Sequence, residues 1–424
     1  MRRNKRIVWP TLVLALFLGA CGPAAPQTPP PIVPTAQPTA VVEPTATPEP
    51  TPPPPPTLTP SPTPDPFFPM RTTHFSYGIN AHLFYPEVVG RSQDDIMEYV
   101  NDLGVEWERQ QVSWADLEPA KGKYVWDEMD KVVDAVGRYY RKLLVSIVRS
   151  PSWATADGGY GMPANPDDLG DFLHAMVTRY AGRIQAYEIW NEQNYAVEND
   201  GYVQGPGRYV ELLKVAYTRI KEADPYAFVL LGPLTPTGVN DPNIAIDDIT
   251  YLRQMYEYNG GEVKGYFDVL AAHVAGVHNP PDTLWPERPG PGPGWVDHPT
   301  FYFRHVENIR RVMEEYGDGE KQIWITEFGW ASLENIGDTP APGYEYALNN
   351  TEYEQSVYLI QALEMGRTIY QPWLGAMFIW NLNFATITPP TDEKAPFSLL
   401  RADWSLRPAY KAVRDDIREH TQWP

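Results

Sequence analysis

The stretch YEIWNEQN at residues 187–194 and the stretch IWITEFGW at residues 323–330 share one pattern. In each, a run of apolar, β-prone residues is closed by a glutamate, Glu192 in the first and Glu327 in the second. A carboxylate that ends an apolar strand needs a partner or a purpose, because burying it unpaired costs several kcal/mol. The two stretches therefore predict buried strands that each carry a functional group at the end.

Further runs of the same β-prone kind occur on both sides of these two stretches, and together they make eight strand candidates. They are residues 74–82, 105–114, 143–149, 184–192, 228–233, 267–274, 322–328 and 374–382.

Segments with apolar residues at helical spacing lie between the strand candidates. They are residues 93–103, 128–140, 169–180, 209–223, 249–258, 301–316, 351–363 and 409–419. Two of them have clear start signals. Asn165 and Pro166 precede one, and Thr351 with Glu354 three residues later forms a capping-box pattern at another.

Eight strand–helix units in about 358 residues, from 67 to 424, predict an α/β protein. The expected architecture is a (β/α)8 TIM barrel with enlarged βα loops. The alternative is an open doubly wound sheet, which usually carries a glycine-rich phosphate turn after its first strand. The turn after His82 has no such glycines. We therefore expect the closed barrel, as one domain at residues 67–424.

The first 20 residues have the features of an export signal. Four of residues 2–6 are basic, residues 7–18 are largely apolar, and LGAC at residues 18–21 resembles a bacterial lipobox. We predict a lipoprotein signal peptide at residues 1–20, with lipidation of Cys21. An ordinary signal peptide with an incidental cysteine is the alternative.

Residues 21–66 are dominated by proline and threonine. Of the 46 prolines, 19 fall at residues 22–66, where no apolar face repeats at a regular period. Such a segment cannot bury enough surface to offset the entropy of ordering it. We predict a disordered Pro/Thr-rich tether between the lipidated Cys21 and the folded domain.

Charge and cysteine content exclude several classes of function. The chain has 34 basic and 54 acidic residues, a formal charge of −20. Such a surface repels phosphate backbones and anionic lipid headgroups, so we expect no nucleic-acid partner. Cys21 is the only cysteine, which excludes an intrachain disulfide framework and a cysteine-based zinc site. We expect no metal and no cofactor.

The barrel prediction separates Glu192 and Glu327 from the other acidic residues. In such barrels the reactive groups collect at the C-terminal ends of the strands. Carboxylates on the fourth and seventh strands would face each other across the barrel mouth. Paired carboxyl groups are what the cleavage of a glycosidic bond requires, because one protonates the leaving oxygen while the other attacks or activates water.

The segments WNEQN after the fourth strand and TEFGW after the seventh resemble glycoside hydrolase clan A, the retaining barrel enzymes, with families 5 and 39 the most similar. The resemblance covers residues 74 to about 414. It implies that Glu192 is the general acid/base and Glu327 the nucleophile. It also implies that Asn191 binds the sugar 2-hydroxyl and that Arg109, in VEWERQQVSW, keeps the nucleophile ionised.

Further residues are expected to bind the substrate. The resemblance implies that His273 in VLAAHVAG lines the site and that Trp380 in MFIWNLNF forms an aromatic floor under the sugar. Asn80 and His82, on the first strand, and Trp153, after the third, could line the site or serve in packing alone.

Two positions depart from the clan pattern. Many members have a proline after the acid/base glutamate, where this chain has Gln193. Some carry a tyrosine two residues after the strand-six histidine, where this chain has Ala275. The second departure leaves open which tyrosine, if any, contacts Glu327.

These features predict a retaining glycoside hydrolase that acts on an extracellular oligo- or polysaccharide. Its partners would be the carbohydrate and, through the lipid on Cys21, a bacterial membrane. We expect a monomeric surface lipoprotein whose catalytic domain, residues 67–424, is extracytoplasmic. The alternatives are a non-catalytic carbohydrate-binding lipoprotein and a transglycosylase that uses the same site.

Overall fold

The computed structural model describes residues 70–285 and 298–421. The signal peptide and tether predicted at residues 1–66 lie outside this range. In the described part, parallel strands pair in chain order and close into an eight-stranded barrel. The strands are β1 (Ser76–Asn80), β2 (Trp107–Ser113), β3 (Lys142–Val148), β4 (Ala186–Ile189), β5 (Phe228–Leu231), β6 (Val269–Ala275), β7 (Gln322–Gly329) and β8 (Leu374–Ile379).

Helices alternate with the strands and surround the barrel. They are α1 (Pro86–Val89), α2 (Gln93–Leu103), α3 (Trp114–Leu117), α4 (Asp127–Arg138), α5 (Pro166–Tyr180), α6 (Pro206–Ala223), α7 (Asp248–Glu257), α8 (Val306–Glu315), α9 (Glu352–Thr368) and α10 (Pro408–His420). The predicted (β/α)8 architecture is confirmed. Among the described residues, none of the helices has the length and apolar composition that crossing a bilayer requires.

The two start signals seen in the sequence form as expected. The Asn165 side chain accepts a hydrogen bond from the backbone N–H of Asp167 at the start of α5. At the start of α9, the Thr351 hydroxyl accepts from the Glu354 N–H at 3.1 Å, and the Glu354 carboxylate accepts from the Thr351 N–H at 2.8 Å. This is the reciprocal capping box.

The predicted helix at residues 301–316 is shorter in the structure, where α8 begins at Val306. The residues before it form two short 3-10 turns. Buried polar contacts account for this, since the Thr300 hydroxyl donates to one oxygen of Asp248 and His305 Nε2 contacts the other at 2.6 Å. These tertiary contacts fix the approach to α8 in place of another helical turn.

The barrel interior is apolar below and polar above. Its lower part is a cluster of side chains that alternate inward from the strands: Trp107, Leu144, Ala186, Leu230, Val269, Ala271, Trp324, Ala376 and Phe378. Two residues further along their strands, Arg109, Glu188 and His273 continue the inward rows. The packed lower layer thus supports a layer of buried polar groups at the C-terminal ends of the strands.

The pairing of β6 with β7 contains a register shift. Ala272 pairs with Ile325, but the next residue, His273, pairs with Glu327, so Thr326 is the extra residue. In a regular strand, Glu327 would point to the face opposite that of Trp324 and Thr326. Bulges of this kind re-aim side chains next to active sites. Here the shift places Glu327 opposite His273.

Arg407 ties together the loops that follow β7 and β8. Its fully buried guanidinium donates to the carbonyl oxygens of Ser332, Pro396 and Ser398 at 2.9–3.1 Å and to the Glu352 carboxylate at 3.0 Å. These bonds connect the loops above the barrel to the first turn of α9 and the start of α10.

We predict that Arg407→Ala lowers the free energy of unfolding by about 3 kcal/mol, because it leaves buried acceptors without a donor. Urea denaturation of the full chain, followed by tryptophan fluorescence, measures the loss. Arg418→Ala is the matched control, since Arg418 on α10 makes an ion pair with Asp102 with both side chains substantially exposed. That control should change stability by less than about 1 kcal/mol. Equal losses in the two variants would contradict the anchoring role.

Candidate active site

The polar residues predicted from the sequence arrive at the barrel mouth from different strands. Asn80 ends β1, Arg109 lies in β2, His273 in β6 and Glu327 in β7. Glu192 lies three residues beyond the end of β4 at Ile189. The structure brings these side chains into one hydrogen-bonded cluster.

Glu192 is carried on a tight turn and not on the strand itself. Trp190 has φ 71° and Glu192 has φ 47°, both in the left-handed region that non-glycine residues rarely adopt. Hydrogen bonds hold the Glu192 backbone in place. Its N–H donates to the Pro233 carbonyl at 2.9 Å, and its carbonyl accepts from the Asn199 side chain at 3.0 Å. A strained backbone that its surroundings hold in place is a common feature of functional sites.

Side-chain amides hold the rest of this turn. Gln193 is fully buried and donates from Nε2 to the Gly232 carbonyl at 2.9 Å. Asn194 accepts from the Thr235 N–H at 2.8 Å and donates to the Thr235 carbonyl at 2.9 Å. Gly232 is required here, because a Cβ atom would lie 2.2 Å from the Ile189 carbonyl oxygen. Gln193, the departure noted in the sequence, therefore connects the ends of β4 and β5.

Arg109 is the hub of the polar layer, with its side chain only 1% exposed. Its Nη2 donates to Glu188 at 2.5 Å, and its Nη1 donates to Glu327 at 2.7 Å. The same guanidinium donates to the amide oxygens of Asn80 at 2.8 Å and Asn191 at 3.2 Å. Charge-assisted bonds of this kind are the strong ones, and they fix the guanidinium between two carboxylates. Glu188 is therefore a buried structural partner of Arg109.

Asn80 in turn fixes the position of Arg109. Its Nδ2 donates to the Thr326 carbonyl at 2.9 Å and to the Ile379 carbonyl at 3.2 Å, while its oxygen accepts from Arg109. The structure thus gives Asn80 a positioning role beneath the cleft.

His273 lies between the two glutamates and is 4% exposed. Its Nδ1 is 2.8 Å from Glu192 Oε1, and its Nε2 is 3.4 Å from Glu327 Oε1. The side chains of Glu192 and Glu327 are 19% and 18% exposed, so each is also open in part to solvent. The partners of Glu327 among the described residues are Arg109 and His273, and no tyrosine is among them.

Burial sets the protonation of these groups. It raises the pKa of Glu192 to about 7, against a hydrogen bond from Thr235 that lowers it. Burial also raises the pKa of Glu327, but His273 and Arg109 oppose that rise. Burial lowers the pKa of His273, which favours the neutral imidazole at pH 7. Glu192 is therefore the carboxyl group that holds a proton most readily.

An open cleft of about 260 Å³ lies beside this cluster. Its floor includes Asn80, Arg109 and the half-buried ring of Trp380, which packs against Phe384 with ring centroids 4.9 Å apart. His82 lines the same cleft, and its backbone is held by hydrogen bonds with Asn383. Aromatic faces next to polar groups suit a ligand with both apolar faces and hydroxyls.

The structure does not bring Trp153 to this cluster. Its ring meets that of Trp114 edge-on, and its Nε1 donates to the Glu118 carbonyl at 2.9 Å. These contacts give Trp153 a packing role in the loop after β3.

Several residues near the site were not singled out from the sequence. Ser146, which lies 3.4 Å from Arg109 Nη2, is a polar residue inside the apolar run of β3, and that interruption is a readable signal. Thr235 and the charged pair Glu393 and Lys394 affect Glu192 from the loops after β5 and β8. Nothing in the local sequence of those loops marks them, because their approach to Glu192 depends on how the loops fold.

Comparison with known proteins adds evidence on the fold. No protein-family model matches the chain, and a search of curated proteins gives no match. Solved structures do match. A family 39 glycoside hydrolase from Bacteroides cellulosilyticus aligns with a TM-score of 0.58 and 20% identity over 82% of this chain and 64% of that one. This chain therefore spans less than two thirds of that protein's length.

Two further structures have the same architecture. A glucosidase from Croceicoccus marinus aligns with a TM-score of 0.57 and 12% identity, over 82% of this chain and 68% of that one. Xylanase 10B from Thermotoga petrophila, solved with xylobiose, aligns with a TM-score of 0.52 and 15% identity, over 81% and 94%. The fold of this chain is thus that of several glycoside hydrolases, as the motifs around Glu192 and Glu327 predicted.

Proposed function

We propose that the chain hydrolyses O-glycosidic bonds in an extracellular oligo- or polysaccharide, with retention of anomeric configuration. One observation carries the proposal. Two glutamates with different electrostatic surroundings flank a single imidazole at the C-terminal mouth of the barrel. Glu327 accepts a hydrogen bond from Arg109. Burial, in contrast, raises the pKa of Glu192 to about 7, so this carboxyl group stays protonated in more acidic solution. Two carboxyl groups with separated protonation states are the requirement for glycoside cleavage.

In the first step, Glu327 attacks the anomeric carbon while Glu192 protonates the oxygen of the leaving group. The bond from the anomeric carbon to that oxygen breaks, and a covalent glycosyl ester forms on Glu327. Because Arg109 stabilises the ionised form of Glu327, the nucleophile is available at neutral pH.

In the second step, Glu192 is a carboxylate and removes a proton from a water molecule. The resulting hydroxide attacks the anomeric carbon and releases Glu327 as a carboxylate. Asn191 directly precedes Glu192, and its oxygen accepts from Arg109, which also binds Glu327, so its amide N–H can donate to a sugar hydroxyl in this site.

A carbohydrate-binding protein without turnover would have little use for this arrangement. Binding requires aromatic faces and hydrogen-bonding groups, which the cleft around Trp380 supplies by itself. Burying two carboxyl groups beside the same imidazole costs desolvation free energy. Sugar binding alone does not require that arrangement. The pair therefore favours catalysis.

We further propose that the domain is exported and attached to a bacterial membrane through Cys21, as LGAC at residues 18–21 indicates. In a bacterial host, Cys21→Ser should move the full chain from the membrane fraction to the soluble fraction and abolish labelling by palmitate. Equal membrane retention of the parent and the variant would contradict the anchor.

Substitution of either glutamate tests the mechanism. We predict that Glu327→Ala lowers kcat on an aryl glycoside by at least about 10⁴-fold, because no nucleophile remains. Glu192→Ala should lower it by about 10²–10⁴-fold on poor leaving groups and by less on activated ones, which leave without protonation. Glu364→Ala, an exposed position on α9, should retain full activity.

The stereochemistry is tested separately. NMR of the first product formed by the parent should show the anomer of the substrate. The opposite anomer would contradict retention, and the absence of turnover by the parent on any glycan would contradict the hydrolase proposal.

The pKa of Glu192 predicts a pH profile. Because the first step needs protonated Glu192, kcat/KM should fall tenfold per pH unit as the pH rises above about 7. Glu192→Ala assayed on an activated aryl glycoside should lack this alkaline decline. If kcat/KM of that variant declined at alkaline pH as in the parent, a group other than Glu192 would be responsible for the decline.

A further inference from the structure

His273 makes contacts that a residue lining the substrate does not need. Its ring nitrogens face the two glutamates, with Nδ1 2.8 Å from Glu192 Oε1 and Nε2 3.4 Å from Glu327 Oε1. A neutral imidazole carries a single N–H, so one nitrogen donates and the other accepts. The position of that one hydrogen therefore constrains the protonation of both carboxyl groups.

The surroundings decide which nitrogen carries the hydrogen. Glu327 Oε1 also accepts from Arg109 Nη1 at 2.7 Å, which marks it as an anionic oxygen. Among the described residues, Nε2 of His273 has no hydrogen-bond partner, and Glu327 Oε1 is the carboxylate oxygen that faces it, at 3.4 Å. If Nε2 carried a lone pair, that lone pair would face the anionic oxygen and the two would repel strongly in a buried site. If Nε2 carries the hydrogen, the N–H dipole is attracted to the oxygen. The hydrogen is therefore on Nε2.

The tautomer of His273 fixes the protonation of Glu192. With the hydrogen on Nε2, Nδ1 presents a lone pair to Glu192 Oε1 at 2.8 Å. A short contact between two acceptors is unfavourable, so the hydrogen in this bond must belong to the Glu192 carboxyl group. An ionised Glu327 thus requires a protonated Glu192.

We propose that His273 is a tautomeric link that holds the two glutamates in the state each half-reaction needs. The inference rests on the proposed hydrolase function. While Glu327 is ionised, the Nε2–H tautomer keeps Glu192 as the acid. Once Glu327 is esterified by the sugar, its anionic charge is gone and nothing retains the hydrogen on Nε2. The Nδ1–H tautomer then donates to the Glu192 carboxylate, which is the base of the second step.

Protons balance in this exchange. In the first step, the Glu192 O–H breaks its hydrogen bond with Nδ1 and gives its proton to the leaving-group oxygen, and the imidazole keeps its single hydrogen. Water in the cleft then gives a proton to Nδ1 and takes one from Nε2, so neither the ring nor the solvent gains charge. After hydrolysis of the ester, Glu192 holds the proton taken from water, and the reverse exchange restores the Nε2–H tautomer.

Other charged groups face this pair from every side. They are Arg109 on β2, Glu188 on β4, Glu198 in the loop after β4, and Glu393 and Lys394 in the loop after β8. These groups shift the pKa of the glutamates or of His273. In the described part of the chain, however, only the two glutamates lie within bonding distance of its ring nitrogens.

Nitrogen-15 NMR of the histidine rings in the full chain tests the link without requiring turnover. The signals of His273 are assigned by their loss in His273→Asn. The parent should show the Nε2–H tautomer, and Glu327→Gln, whose neutral amide stands in for the ester, should show the Nδ1–H tautomer. An Nδ1–H tautomer in the parent, or the same tautomer in both proteins, would overturn the link.

Kinetics distinguish this role from a purely structural one. His273→Asn places an amide near the position of Nδ1, and His273→Gln places one near Nε2. An amide N–H held against Glu192 stabilises its carboxylate, so His273→Asn should move the alkaline decline of kcat/KM to lower pH and slow the first step at pH 7 by at least about tenfold. His273→Gln lacks this donor and should not move the decline to lower pH. Equal profiles in the two variants would contradict the proposal.

The experiments distinguish failure of the hydrolase function from failure of the His273 link. An inactive parent with the expected tautomers would leave the link standing and remove the hydrolase function. An active parent with an Nδ1–H tautomer would leave hydrolysis standing and remove the link.

Discussion

One buried guanidinium organises the mouth of this barrel. Arg109 is surrounded by Glu188, Glu327 and two asparagine oxygens, and its side chain is only 1% exposed. A buried ion pair gains stability only if its remaining hydrogen-bonding groups are satisfied, and removing one partner typically costs about 3–5 kcal/mol. The side chains at the ends of β1, β2, β4 and β7 are therefore interdependent. The apolar layer around Trp107 and Trp324 below them excludes water from this network.

The same guanidinium explains why the two glutamates differ. Its single positive charge is already shared by Glu188 and Glu327, so a third buried carboxylate at Glu192 would have no compensating cation within the barrel. Burial consequently raises the pKa of Glu192 to about 7, while Glu327 has Arg109 and His273 to oppose the rise. The separation of acid and nucleophile thus follows from burial and from one cation placed among three acids, and Glu393 in the loop after β8 raises the pKa of Glu192 further.

The sequence predicts the features that depend on local pattern. All eight strands overlap their predicted runs, and both glutamates were found because a charge at the end of an apolar run is unusual. The bulge at Thr326, the left-handed turn at Glu192 and the placement of His273 between the glutamates were not predictable in this way. Each depends on hydrogen bonds between residues distant in sequence, such as Glu192 with Pro233, and no local periodicity encodes them.

The two glutamates are held by different kinds of structure, and the difference matches their tasks. Glu327 lies within β7 and pairs with His273 of β6, while β7 is bonded to β8 on its other side. The strand thus holds it in a fixed position, as in-line attack on a single carbon requires. Glu192 lies on a turn held by side-chain amides, beyond the end of β4. An acid/base must serve the leaving oxygen in one step and a water molecule in the next. Because Glu192 lies on a turn beyond the strand, its carboxyl group can shift between these two positions. A residue inside the barrel wall could not shift in this way.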